Sequence, residues 1–252
     1  MSPAQPIVLA IQNDPTDPPL LVGEWLEEEG ILVRVVRADA GEPVPSAVPD
    51  DVHGVLAMGG SMGAHDDAVA PWLAAECALL SDAVIAGVPV LGLCLGGQLL
   101  ARATGGRVET GPTQEIGLSH VRQTVDGLLD RVIAQAVPTR GPDIPAAQWH
   151  QDFITDLPDA AVLLLTNETC RVQGFRLGET AYGLQMHPEL DGATFLSWAD
   201  VPDEALRRSA VDVHAAAEEV VAAEPELVTA WRPMTRAWGD LVWARFGSVV
   251  PA

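Results

Sequence analysis

Residues 88–98 constrain the fold more than any other stretch of this chain. The apolar run Val88 to Leu93 ends in Cys94, and a helix-forming segment, Leu95 to Thr104, begins at once. Gly92 and Gly96 bracket the cysteine, giving Gly-x-Cys-x-Gly, the form of a nucleophile elbow with sulfur in place of a serine hydroxyl. Neither glycine carries a Cβ, so strand and helix can approach closely while Cys94 occupies a strained turn. A strand that feeds a helix through so tight a turn belongs to an α/β sheet. The cysteine then sits at a helix N-terminus, where unpaired N–H groups favour an anion.

Two further segments supply what a thiolate nucleophile needs. Gly183-Leu184-Gln185-Met186-His187-Pro188-Glu189 reads as a strand end held extended by its proline. In extended chain, residues i and i+2 point to one side, so Glu189 can fix the tautomer of His187 and stabilise its cation. Cys94 as nucleophile, His187 as base then acid, and Glu189 as orienter make a triad of the acyl-transfer kind. Met58-Gly59-Gly60-Ser61-Met62-Gly63 follows the apolar run Val55-Leu56-Ala57. Glycines at a strand end let backbone N–H groups face a substrate, so this loop is the expected oxyanion donor, with the N–H of Leu95 as the second.

The combination resembles the class I, or triad, glutamine amidotransferases over about residues 7–190. Leu91 to Gln98 looks like their nucleophile motif and Met58-Gly59-Gly60-Ser61 like their oxyanion strand, where many members carry Pro at the position of Ser61. Gln185 to Glu189 looks like their His-Pro-Glu motif, with Met186 where Phe is common. Glu115-Ile116-Gly117 and Gln148-Trp149-His150-Gln151-Asp152 resemble segments of the stand-alone branch similar to the GMP-synthase amidotransferase domain. The resemblance implies that Gln98 and the backbone around Gly59 help hold glutamine, and that the segment of His150 lies near the cleft.

The remaining cysteines and histidines have plainer readings. Cys77 falls in a helical pattern and Cys170 opens a strand-like stretch, so both are expected to be core thiols. His53, His120 and His214 lack a partner pattern and read as surface or structural. His65 follows the oxyanion glycines, where a solvated loop is the simpler reading and a pocket wall the alternative.

Composition removes several function classes. Thirty-five acidic residues against fourteen basic give a net charge of −21, which repels nucleic acid and anionic membranes. All fourteen basic residues are arginine, which excludes a Walker-type lysine, a Schiff-base lysine and a Ser-Lys dyad. The three cysteines suit neither a disulfide framework nor Cys-x-x-Cys metal spacing, and the histidines are scattered. No metal and no cofactor are therefore expected. Met1 to Pro6 lacks the features of a signal peptide, and no stretch has the length of a membrane span, so a cytoplasmic protein is expected.

Strand and helix alternate along the first hundred residues. Ile7–Ile11, Ile31–Arg37, Val52–Ala57 and Val88–Leu93 read as strands, and Leu20–Glu29 and Ala70–Ala86 as helices stopped by Gly30 and Gly87. From Arg107 to Met186 the pattern changes to short strands such as Val162–Leu165 and Cys170–Phe175. The expected fold is α/β: an open, mostly parallel sheet with helices on both faces, a small antiparallel excursion and a C-terminal helical extension. The resemblance implies an amidotransferase-like domain over residues 1–192, with 193–252 expected as a helical extension packed on it. In that extension Pro202-Asp203-Glu204 starts a helix, and Leu206, Ala210, Val213, Ala217 and Val220 recur at helical spacing. Pro233 should break or kink the stretch that carries Trp231, Trp238 and Trp243. That tryptophan stripe reads as a docking face onto the core, with a homodimer contact as the alternative.

The expected activity is hydrolysis of the γ-amide of glutamine through a γ-glutamyl thioester, giving glutamate and ammonia. One alternative is a γ-glutamyl peptidase acting on γ-glutamyl conjugates, and another is a silent regulatory subunit. Ammonia would pass to a separate synthetase subunit or simply be released.

Overall fold

Strands buried on both faces must be apolar throughout, and the first half of the chain supplies such strands. In the computed structural model, which describes residues 5–201 and 211–249, β1 (Ile7–Gln12), β3 (Gly54–Ala57) and β4 (Val90–Leu93) are almost wholly buried. With β2 (Leu32–Arg37) and β9 (Ala181–Leu184) they form the parallel half of a nine-stranded sheet ordered β2-β1-β3-β4-β9-β8-β7-β5-β6. The other half, β5 (Arg107–Gln123), β6 (Ile144–Asp156), β7 (Ala161–Thr166) and β8 (Gly174–Leu177), is antiparallel.

Alternate side chains of the parallel strands feed two cores. Val8, Ala10, Leu56, Met58, Leu91 and Leu93 face α1 (Leu20–Glu28), α5 (Gly192–Ala199) and α6 (Val213–Val249). Leu9, Ile11, Val55, Ala57 and Val90 face α2 (Leu73–Ile85) and α3 (Leu95–Ala103). Helices thus cover both faces. Among the described residues none of them is long and apolar enough to cross a membrane.

Three expectations need correction. The region from Arg107 opens not with short strands but with one long ribbon, β5 of 17 residues paired with β6 of 13, while β7, which contains Val162–Leu165, and β8 are short as expected. The register shift between Thr110 and Glu115, around Gly111-Pro112, bends β5 and hides its alternation. Cys170 lies in the β7–β8 loop, and β8 begins only at Gly174. A short helix, α4 (Val125–Leu129), capped by the hydroxyl of Thr124 on the N–H of Gly127, had no counterpart in the sequence reading.

The third correction concerns α6, which runs unbroken through Pro225 and Pro233. An interior proline costs a helix about 3 kcal/mol. Trp231 and Trp238, both fully buried, flank Pro233 and donate their indole N–H groups to Pro145 O (2.8 Å) and Val90 O (3.1 Å). Burying each indole contributes roughly 4–6 kcal/mol, enough to hold the helix through the proline. Ala217 and Val220 lie on its buried face as their spacing predicts, whereas Pro202, Asp203, Glu204, Leu206 and Ala210 fall outside the described residues.

A buried polar group ties the ends of β1 and β3 to α2. Asn13, just past β1, donates to Met58 O (3.1 Å) and to Glu76 Oε1 (3.3 Å), and accepts from Trp72 Nε1 (2.9 Å). Glu76 is fully buried and its Oε2 has no partner; burial pushes its pKa up to about 8. The folded protein therefore keeps a proton that the unfolded chain releases near pH 4.5, and stability falls as pH rises through that window. Glu76→Gln is expected to flatten this decline and to stabilise the protein at pH 7 by up to about 3 kcal/mol. Denaturant unfolding at pH 4.5 and pH 7 checks it; equal effects at both would show that no buried proton is involved.

Candidate active site

The carboxyl ends of the parallel strands gather the chemically distinctive residues at one edge, where open α/β sheets place their ligands. Cys94 joins β4 to α3 with φ 48° and ψ −109°; with Leu20 it is one of two described non-glycine residues at positive φ. The glycine frame explains how the turn fits. A Cβ on Gly92 would lie 2.5 Å from Gly96 O, one on Gly97 2.7 Å from Leu184 O, and one on Gly96 would overlap Ala57 O. Only bare backbone lets α3 start this close to β3, β4 and β9.

Because Leu93 pairs with Leu184, β9 delivers its continuation to the cysteine. Cys94 N donates to Leu184 O (2.9 Å), and Gln185 Nε2 lies 3.8 Å from Cys94 Sγ. Two residues on, His187 is held by its own N–H on Ala147 O (3.0 Å) and by its Nδ1 on Glu189 Oε1 (2.7 Å). Its Nε2 is buried, without a hydrogen-bond partner, on the side of the thiol. Burial alone would lower the pKa of this imidazole. The charges of Cys94 and Glu189 outweigh that and hold it well above the ordinary histidine range. Trp198 packs edge-on against the ring, centroids 5.1 Å apart, and its own N–H reaches Thr16 O (3.1 Å).

Two cavities meet at the sulfur, sharing Cys94, Trp149, Gly60 and Ser61. The larger, about 500 Å³, is lined by Leu95, Gln98, His65, His150 and Asp152 among others. The smaller, about 220 Å³, lies on the side of His187 and is walled by Trp149, Trp198 and Val201. Leu95 opens α3, so its N–H is among those without an intrahelical acceptor.

Gly60 lines both cavities, but Gly59 is buried against Asp17 and His187 and lines neither. The Gln98 amide donates to Asp152 O (3.0 Å) and Gln185 Oε1 (3.3 Å). His65 forms a cavity wall with its Nε2 3.2 Å from Val108 O. Glu115 and His150 face one another across β5 and β6, with Nε2 and Oε2 3.2 Å apart. Asn167 and Gln173 also donate to the Glu115 carboxylate, at 2.7 and 2.8 Å.

Four residues went unnoticed as site members. Gln185 could have been found, since it lies two residues before His187 on the same side of an extended chain. Trp149 belongs to the His150 segment that the resemblance put near the cleft, and it lines both cavities, whereas Trp198 carries no local signal. Neither does Asp17, which the β1–α1 loop brings beside His187 and Glu189, so that donor atoms of all three lie within 4.8 Å of one another. The sequence offered no grouping of ligand-type residues; the fold makes one from positions 170 apart.

The family model "Glutamine amidotransferase class-I" matches residues 23–195, most of the chain and all three motifs. The chain belongs to the class-I glutamine amidotransferase family. The glutamine amidotransferase-like protein YfeJ of Salmonella typhimurium is 32% identical over 169 residues, 66% of this chain and 68% of that protein. The solved glutamine amidotransferase of Thermotoga maritima superposes with TM-score 0.80 at 26% identity, covering 94% of this chain and 99% of that one. That of Methylobacillus flagellatus gives TM-score 0.79 at 30% identity, covering 98% and 96%. The GMP synthase of Caldicellulosiruptor saccharolyticus is 27% identical over 175 residues, 68% of this chain but only 30% of that enzyme's length.

Proposed function

We propose that this amidotransferase hydrolyses the γ-amide of glutamine by covalent catalysis at Cys94. The observation that carries the reading is His187, anchored through Nδ1 on Glu189 at 2.7 Å with its unpartnered Nε2 turned to the thiol. The sulfur bonds to the amide carbon, and the backbone N–H groups of Gly60 and Leu95 hold the resulting oxyanion. His187 gives its proton to the departing nitrogen, the C–N bond breaks and ammonia leaves. His187 then takes a proton from water, whose oxygen displaces the sulfur and releases glutamate. Each step needs only groups that line the two cavities.

A second reading, hydrolysis of γ-glutamyl conjugates, is favoured by the smaller cavity. Because His187 protonates the leaving nitrogen, the leaving group belongs on its side, between Trp149, Trp198 and Val201. A molecule the size of water or ammonia needs only about 10–15 Å³ of such cavity space. A space of about 220 Å³ with aromatic walls accommodates a substituted amine as well. The test is ammonia, amine and glutamate release from glutamine and γ-glutamyl peptides, with a chelator present. Faster cleavage of the peptides selects the second reading. Activity that appears only with a partner synthetase and ATP selects a subunit role, consistent with relatives that are GMP synthases. No turnover and no reactive Cys94 would defeat both and leave a silent regulatory subunit.

A further inference from the structure

The proposed triad has an unfinished end. Glu189 is fully buried, and while Oε1 accepts from His187, Oε2 has no partner. Asp17 lies beside it, only 2% exposed, and neither of its oxygens has a partner. Donor atoms of Asp17, His187 and Glu189 all fall within 4.8 Å of one another. Asp17 Oδ2 occupies the space a Gly59 side chain would need, so the carboxyl is wedged under the oxyanion strand. The loop that carries it ends at Leu20, at φ 37°, and Leu21 N donates to Glu189 O (3.0 Å). Strain retained at Leu20 marks a loop whose position is over-determined by its surroundings.

Two ionised carboxylates cannot share a dry site beside a single imidazolium, because like charges and lost hydration both penalise the second ionisation. We propose that Asp17, as the neutral acid, is a positioning residue that donates a hydrogen bond to Glu189 Oε2 and extends the Cys94–His187–Glu189 chain by one member. This rests on the reading of His187 and Glu189 as acid–base and orienter. The bond fixes the plane of the Glu189 carboxylate, so that Oε1 keeps facing Nδ1. It also leaves one negative charge, rather than two, opposite the imidazolium. Burial and the Glu189 charge push the Asp17 carboxyl well above the usual range, Asp14 adds to this, and His187 opposes it. A metal ion could neutralise the same cluster. Around a tetrahedral ion, however, two ligand atoms stand about 3.4 Å apart. Nδ1 and Oε1 are at 2.7 Å, a hydrogen-bond distance.

The test compares Asp17→Asn, which keeps an N–H donor, with Asp17→Ala, which leaves Oε2 bare. Two readouts are used: kcat and KM on the best substrate, and the pH dependence of Cys94 alkylation by iodoacetamide, which needs no substrate. Asp17→Asn is expected to stay within about threefold of wild type in kcat and to keep its alkylation profile. Asp17→Ala should lose about ten- to a hundredfold in kcat with KM little changed, as removal of an orienting partner does elsewhere, and should shift the alkylation midpoint. If the alanine variant does not fold, Asp17→Asn decides alone, and loss of its activity overturns the proposal. An alanine variant indistinguishable from wild type, or chelator-sensitive activity restored by a divalent cation, also overturns it. An alkylation profile that His187→Ala leaves unchanged would instead defeat the triad reading itself.

Discussion

Cys94→Ser is expected to abolish thioester formation and to lower turnover about 10³–10⁶-fold, while the unfolding midpoint stays where it was. The size follows from removing a nucleophile that acts as one unit with its base and oxyanion donors. A serine hydroxyl is far less acidic than a thiol, and the imidazole of His187 is placed to pair with a sulfur anion. The fold should be indifferent, because the turn at φ 48° is imposed by the glycines around it and the two side chains are nearly isosteric. A glutamine-like electrophile provides the independent check. Burial pushes the Cys77 thiol up to about 11 and the Cys170 thiol up to about 12, so at pH 7.5 less than about 10⁻³ of either is thiolate. Peptide mass spectrometry should find the label on Cys94 alone. Label on Cys77 or Cys170 with Cys94 untouched would overturn its assignment as nucleophile.

What could be read from the sequence is what is written locally. The inner parallel strands are short apolar runs ended by glycine or by turns, and Gly92-Leu93-Cys94-Leu95-Gly96 encodes its own geometry because only glycine fits at its two ends between β4, α3 and β3. The alternation of His187 and Glu189 about Pro188 is equally local, and the structure pairs them at 2.7 Å. The features that escaped depend on partners far away in the chain. The β5–β6 ribbon is interrupted by a bulge, so its period-two pattern breaks where the strand does not. Pro233 would end an isolated helix, but Trp231 and Trp238 hold α6 against Pro145 and Val90. Asp17 looked like one acid in an acidic chain. Its position follows from topology: β1 is parallel to β3 and next to it, so its C-terminal loop emerges at the same edge as the Gly59-Gly60-Ser61 loop.

His187→Ala is expected to cost about 10³-fold or more in turnover and Glu189→Gln only about 10–100-fold, because the imidazole moves the proton and the carboxylate only holds and polarises it. Replacing an orienting acid by its amide is damaging when the amide turns its NH₂ toward the histidine and forces the wrong tautomer. Here the other oxygen of residue 189 is buried without a partner, and the Asp17 carboxyl lies within 4.8 Å of the His187–Glu189 pair. Once the Glu189 charge is gone, Asp17 can ionise and accept the amide N–H, leaving the amide oxygen for His187 Nδ1–H. The tautomer is thereby kept. The electrostatic loss is made good only in part, because the Asp17 charge lacks the direct 2.7 Å bond to the ring through which Glu189, one of the two charges that hold the His187 pKa above its ordinary range, acts. In Glu189→Gln that pKa falls, the imidazolium is lost at a lower pH, and the alkaline limb of kcat moves down the pH scale. Glu189→Gln paired with Asp17→Ala should lose this protection and approach the His187→Ala rate. Pre-steady-state ammonia release across pH 5–10 measures all three. A His187→Ala enzyme as fast as wild type would remove His187 from the mechanism, and an unmoved alkaline limb in Glu189→Gln would deny Glu189 its part in stabilising the imidazolium.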